Sequence, residues 1–348
     1  RFTFDNYCGT EAVTITKATV AVADFDMTKK MGLECPLAEE TLQDITFSQE
    51  VSVTIDAHKQ AVSDAVALPV SAGATLCVSI YFSDFTLLQS AVLITGPLSK
   101  GYFSIGDETV SGKLPLDTTK STNWFYFLSN IDILTSPENH AVICYGDSIT
   151  AQSWPDYLTL RTRKLGGGHT SIIRRAASGT RILRQYECIT YDSYGLKGSN
   201  RFCHEIPTAG ADTLIIQQGI NDIIHPVGTE VNPFRPMSDL PTAGELIDGL
   251  KWYIEQARAY HDKVYLGTLL PIYGWRTYAP FRETLKNEIN DWIRSTNEID
   301  GCIDFDLALR DMKNPAAFRE GFDSGDHLHP SGAAYKKMAE IVPEELLF

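Results

Sequence analysis

Ala141-Val142-Ile143-Cys144-Tyr145-Gly146-Asp147-Ser148-Ile149-Thr150 is an apolar run that meets a glycine and then turns polar. A short apolar run bounded by a turn signal reads as a strand buried on both faces. Similar runs stand at 171–173, 213–216, 264–270 and 302–305. Helical periods separate them. Trp154, Tyr157, Leu158 and Leu165 make one apolar stripe, Leu246, Leu250, Tyr253, Ile254 and Ala257 a second, and Phe281, Leu285, Ile289 and Trp292 a third. Thr242 and Glu245 have capping-box spacing ahead of the second stripe. Strands alternating with helices predict a doubly wound parallel α/β sheet, in which reactive residues collect at the carboxyl ends of the strands.

Upstream the pattern is different. Val13, Ile15, Val20 and Val22 recur at spacings of two, Val51 to Ile55 alternates, and Leu76, Val78, Ile80 and Phe82 share a face opposite Thr75, Cys77, Ser79 and Tyr81. Trp124 to Leu128 reads as a further, aromatic strand. Period-two alternation between Gly, Pro, Asp and Ser clusters predicts antiparallel sheets, here a jelly-roll-like β-sandwich without a long amphipathic helix. The polar break Thr135-Ser136-Pro137-Glu138-Asn139 divides the chain into an all-β accessory domain, 1–137, and an α/β domain, 138–348.

Composition narrows the function classes. The 348 residues are 43% hydrophobic and 10% aromatic, which excludes disorder as the main state. Lys plus Arg number 30 against 44 Asp plus Glu, a formal charge of −14, so nucleic acid and anionic membranes are poor partners. No apolar run reaches membrane-spanning length, and no membrane insertion is expected. A chain opening on Arg1 rather than Met leaves both secretion after processing and the cytoplasm open. The seven cysteines are odd in number and contain no CxxC, so neither a zinc ribbon nor a full disulfide framework is indicated. Cys144 and Cys302 read as buried thiols, while Cys188 and Cys203 flank a Gly- and Tyr-rich excursion that a disulfide could close.

Four short words carry chemistry. Ser148 follows the first strand at the entry to a helix, offering a hydroxyl nucleophile together with an unpaired backbone N–H; an N-capping serine is the ordinary alternative. Gly179, in Ala177-Ser178-Gly179-Thr180 after the second strand, permits close backbone approach, as many loop glycines do. Asn221, in Gln218-Gly219-Ile220-Asn221-Asp222 after the third, can aim an amide into the same crevice or simply serve a turn. Near the C-terminus, Asp326-His327-Leu328-His329-Pro330 spaces a carboxylate three residues from an imidazole that it can orient. The other histidines, His327 included, read as surface or core residues.

In order and spacing these words resemble the SGNH, or GDSL-type, hydrolase family over about 138–348. The resemblance implies a flavodoxin-like three-layer α/β/α fold and ester hydrolysis without metal or organic cofactor. It further implies Ser148 as nucleophile, His329 as general base and then acid, and Asp326 as its orienter. The backbone N–H groups of Ser148 and Gly179 and the Asn221 amide would then form the oxyanion hole. The chain departs from the family in carrying Arg174-Arg175-Ala176-Ala177 before Ser178, where Asn is frequent. It also carries Ala151-Gln152-Ser153 before Trp154, where Gly is frequent, which points to a different pocket rim.

The expected reaction is hydrolysis of a short-chain carboxylic ester, either a small molecule or a glycan ester such as an acetylated sugar. Tyr273, Trp275 and Tyr278 follow the fourth strand run and could flank an acyl group or stack on a sugar, or could simply pack. The 183–206 excursion, with Tyr186, Tyr191, Tyr194 and Phe202, is a second candidate wall. Acyl transfer to an alcohol, a lipase- or lysophospholipase-like reaction and a non-catalytic carbohydrate-binding role remain as alternatives. A phosphate-binding flavodoxin-like role ranks last, because the first loop has no Gly-rich cradle and no GxxxxGK[ST] occurs.

Overall fold

The computed structural model describes residues 1–23, 37–115, 117–185 and 196–348. The chain divides into two compact units between Thr135 and Ser136.

Among its described residues the first unit holds strands, one 3-10 turn at Glu39–Thr41 and no α-helix. Phe2–Asp5 lies between Leu128–Ile131 and Gln60–Val62, and Lys17–Val22 lies between Gln43–Asp44 and Leu76–Tyr81, all antiparallel. Alternation sends Phe4, Ile15, Val20, Ile45 and Phe127 into one core, against which Leu76, Val78, Ile80 and Phe82 pack. The expected aromatic strand 124–128 is two strands. Trp124–Tyr126 pairs with Ala91–Leu93, and Leu128–Ile131 pairs with Phe2–Asp5. The change of partner needs a bend, and Phe127 supplies it at φ 60° while its buried ring meets Phe82 at 5.6 Å.

The second unit is built on five parallel strands, β1 (His140–Gly146), β2 (Thr170–Ala176), β3 (Ala211–Gln217), β4 (Lys263–Gly267) and β5 (Gly301–Ile303). Their order in the sheet is β2-β1-β3-β4-β5, the flavodoxin-like winding, with a reversal of direction at β1. Among the described residues the α-helices are α1 (Ser148–Ala151), α2 (Trp154–Lys164), α3 (Gly198–Glu205), α4 (Ile220–Ile224), α5 (Ala243–Ala257), α6 (Pro280–Ser295), α7 (Phe305–Leu309) and α8 (Gly332–Ile341). Right-handed crossovers put the β1-to-β2 helix on one face and the later connecting helices on the other. Accordingly α2 packs on α8 and α8 on α7, whereas α3 packs on α5 and α5 on α6. Two helical layers therefore enclose the sheet, and β1 is buried on both sides from Ala141 to Gly146.

The side chains of β1 show the partition. Tyr145 meets Phe202 of α3 at 5.0 Å and Tyr253 of α5 at 5.7 Å. On the α2 side, Trp154 meets Phe305 of α7 at 5.6 Å. All five residues of the second predicted stripe are buried, and the capping box of Thr242 and Glu245 is formed. The other two stripes are trimmed at their ends. Leu165 caps α2 and is exposed, and Phe281 lies in the first turn of α6 and is half exposed. In their place Ile293 extends the buried face of α6, because the helix turns that face toward the core only after its first turn.

Register sets up the site. Gly146 pairs level with Ala176 on β2 and with Gln217 on β3. Three strands thus end side by side, bringing the words at 147–148, 177–180 and 218–222 to one edge. Gly146 is required there, since a Cβ would lie 2.4 Å from both the Gln217 carbonyl oxygen and Thr150 Oγ1.

Candidate functional site

Ser148 is the first residue of α1, and Asp147 caps that helix by accepting a hydrogen bond from the Ile149 N–H at 3.0 Å. The Ser148 hydroxyl lies 2.8 Å from Nε2 of His329, 181 positions away. Nδ1 of His329 lies 2.6 Å from Oδ2 of Asp326. The other oxygen, Oδ1, accepts from the backbone N–H of His329 at 2.8 Å and of Leu328 at 3.0 Å, and from Ser324 Oγ at 3.1 Å. Partial burial pushes the Asp326 carboxyl up, but the bonds from the His329 ring and from these N–H groups outweigh it and hold it at about 2. An ionised carboxylate only accepts, so Nδ1 carries the ring proton and Nε2 is left to accept from the Ser148 hydroxyl. The turn that carries this pair is anchored by buried Leu328, and Ser331 starts α8 by accepting from the Ala334 N–H.

His327 takes a separate course. It sits at φ 64°, exposed, with Nδ1 2.5 Å from Asp323 Oδ2. The Asp323–His327 pair has i,i+4 spacing, a signal present in the sequence beside the DxxH word.

The loops after β2 and β3 join through Thr180. Asn221 is buried, and its Nδ2 donates to the Thr180 carbonyl at 3.1 Å, which uses one of its two amide protons. Gly179 stands between Ser178 and Thr180 at φ 76°, a conformation that costs glycine little. Asp222 accepts from the N–H groups of Ile182 at 2.8 Å and Leu183 at 3.0 Å, tying the β3 loop to the β2 loop a second time. The three expected oxyanion donors therefore sit on adjacent strand ends.

The sequence model of the GDSL-like lipase/acylhydrolase family matches residues 144–337. The chain belongs to that family. It is a carboxylic ester hydrolase. Among solved structures it is similar to a GDSL-like lipase from Bacteroides thetaiotaomicron, at 18% identity over 60% of this chain and 87% of that one, with a TM-score of 0.40. It is also similar to the acetylxylan esterase Axe2 from Geobacillus stearothermophilus, at 16% identity over 59% and 94%, TM-score 0.42. A third is Est24, a carbohydrate acetylesterase from Sinorhizobium meliloti, at 14% identity over 60% and 98%, TM-score 0.41. A comparison with curated proteins found no match.

Other expected features of the hydrolase are distributed unevenly. Tyr273 is half exposed and meets Tyr278 edge-on at 5.1 Å. Trp275 packs against the core, with the Arg276 guanidinium 4.6 Å above its ring. Gly274 lies directly against His327, since a Cβ there would fall 2.7 Å from the imidazole Cγ. The aromatic loop thus touches the turn that carries Asp326 and His329. Of the second candidate wall, Phe202 is core, stacked on Tyr253 at 4.3 Å. Tyr186, Tyr191 and Tyr194 lie outside the described residues, as does Cys188, half of the considered disulfide. Trp154 is fully buried. Among the described residues, no three His, Cys, Asp or Glu side chains converge as metal ligands, and no helix is long and apolar enough to cross a membrane.

Asp147 has a consequence for stability. It is fully buried, and its Oδ2 has no hydrogen-bond partner. Burial pushes its carboxyl up to about 7, against the smaller opposing pull of the Ile149 N–H and Arg201. A carboxyl raised in the folded state contributes its full stability below the ordinary value and loses it as pH rises through the raised one. Asp147→Asn keeps an acceptor for Ile149 without the charge. It should therefore flatten the decline in melting temperature between about pH 4 and pH 7 by a few degrees. Thermal unfolding of both proteins checks this, and an equally steep decline in the variant would refute it.

Proposed function

We propose that the chain hydrolyses short-chain carboxylic esters by two-step acyl transfer at Ser148. The observation that carries this reading is the continuous hydrogen-bonded path from Ser148 Oγ through His329 to Asp326. His329 Nε2 takes the hydroxyl proton as Oγ attacks the ester carbonyl. Asp326 stabilises the imidazolium that forms, without itself taking the proton. The carbonyl oxygen becomes an oxyanion held by the N–H groups of Ser148 and Gly179 and by the Asn221 amide. Nε2–H then protonates the leaving alcohol, and water repeats the cycle on the acyl-enzyme, releasing the acid.

The alcohol portion is read as carbohydrate, for which half-exposed Tyr273, the residue before the Gly274 that abuts His327, offers a stacking face. Acetate release from acetylated xylan, compared with simple acetate esters and longer acyl esters, tests this. Faster release from xylan supports the reading, and hydrolysis confined to long acyl chains sinks it. Acyl transfer to added alcohols would appear as new esters in the same assay.

Asn221→Ala removes one oxyanion donor. It is expected to lower kcat by about 10²-fold or more while KM changes little. Steady-state kinetics on p-nitrophenyl acetate checks this, and an unchanged kcat removes Asn221 from the oxyanion hole.

A further inference from the structure

Behind the strand ends lies a buried polar group that the reaction scheme does not use. Arg201 of α3 is 1% exposed. Two of its nitrogens hold Glu205 as a bidentate pair, at 3.0 and 2.8 Å. Its remaining nitrogen, Nη1, donates to Thr180 Oγ1 at 3.0 Å and to the Gly146 carbonyl at 3.4 Å. Thr180 Oγ1 also accepts from Gln218 Nε2 at 3.0 Å and donates to the Ala177 carbonyl at 2.9 Å. All three bonding positions of that hydroxyl are therefore filled. Gln218 is fixed in turn by the Tyr253 hydroxyl at 3.0 Å.

We propose that Thr180 and Arg201 are positioning residues that set the geometry of the oxyanion hole. The inference rests on the hole read above. Thr180 is bonded through its backbone to Gly179 and through its carbonyl oxygen to Asn221, so its placement fixes two of the three donors. Gly146 stands two residues before Ser148, whose N–H is the third. One guanidinium thus holds the loops after β1 and β2 together, and it does so through hydrogen bonds whose directions are set by the planar fork. Oxyanion donors work because they are aimed before charge develops, and displacement by a fraction of an ångström wastes them. Full burial serves this purpose, since no water competes for the Thr180 hydroxyl.

The test compares Thr180→Val, which keeps the branched shape without the hydroxyl, with Thr180→Ser, which keeps the hydroxyl. Each is measured for kcat and KM on p-nitrophenyl acetate, inhibition by phenylboronic acid as a tetrahedral mimic, and melting temperature. In Thr180→Val, kcat should fall roughly tenfold or more with KM within about twofold, and boronate affinity should fall in parallel. Thr180→Ser should recover kcat to within about threefold of wild type. A folded Thr180→Val with wild-type kcat, a loss confined to KM, or a Thr180→Ser as impaired as Thr180→Val would overturn the proposal. If Thr180→Val does not fold, Tyr253→Phe decides. A severalfold lower kcat at constant KM supports the clamp, and an unchanged kcat refutes it. Ser148→Ala run alongside separates the two readings. Activity retained there defeats the underlying site, whereas an inactive Ser148→Ala with a fully active Thr180→Val defeats the clamp alone.

Discussion

Ser148→Ala is expected to lower kcat on a short p-nitrophenyl ester by about 10⁴-fold or more, because the covalent step then has no nucleophile. The fold should be untouched. The cap of α1 is the Asp147 side chain rather than the serine hydroxyl, and alanine suits a first helical turn. Melting temperature should therefore stay within about a degree or two while turnover disappears. Labelling by a fluorophosphonate probe should disappear with it, since the probe bonds to the attacking oxygen. Wild-type turnover in the purified variant would show that another group attacks.

The second large loss is expected from Asp326→Asn, by about 10³- to 10⁴-fold in kcat. Oδ2 of Asp326 receives the Nδ1 proton of His329 at 2.6 Å. An asparagine amide that donates in its place forces the ring proton onto Nε2, the nitrogen that must accept from Ser148. KM should change far less than kcat, since the bound ester does not depend on the tautomer. A control comes from stability against pH. The carboxyl of Asp326 is held at about 2, below its ordinary value of 3.8. A lowered carboxyl contributes stability that is present above the ordinary value and is lost as pH falls through the lowered one. The difference in melting temperature between wild type and Asp326→Asn should accordingly shrink between about pH 4 and pH 2. An Asn variant with full kcat would mean that the histidine is oriented by other contacts.

Much of the sheet was legible along the chain. Strands buried on both faces must be apolar throughout, so Ala141 to Tyr145 and its counterparts stand out, and α5 announces itself through both its stripe and its capping box. Boundaries were less legible where tertiary contacts override the pattern. Leu165 and Phe281 continue a helical period yet face solvent, and Trp124 to Leu128 looks continuous although Phe127 breaks it to serve two sheets. Phe202 read as a pocket wall because an aromatic in a polar segment gives no sign of direction; packing against Tyr145 and Tyr253 makes it core.

The sequence by itself determined the order of the strands and helices and singled out the candidate reactive side chains, with Ser148, Gly179 and Asn221 following successive strands and Asp326 and His329 together near the C-terminus. These follow from local rules, in which periodicity reports burial and a glycine or polar residue after an apolar run reports a turn. The tertiary structure alone decided which of those residues meet. Ser148 and His329 are neighbours because the sheet reverses at β1 and returns α8 to the side of α2, a matter of crossover handedness that no short stretch of chain encodes. It alone also revealed Arg201 and Thr180, because a hydrogen-bonded hub is defined by converging directions in space, and its members are scattered in sequence among ordinary loop and helix residues.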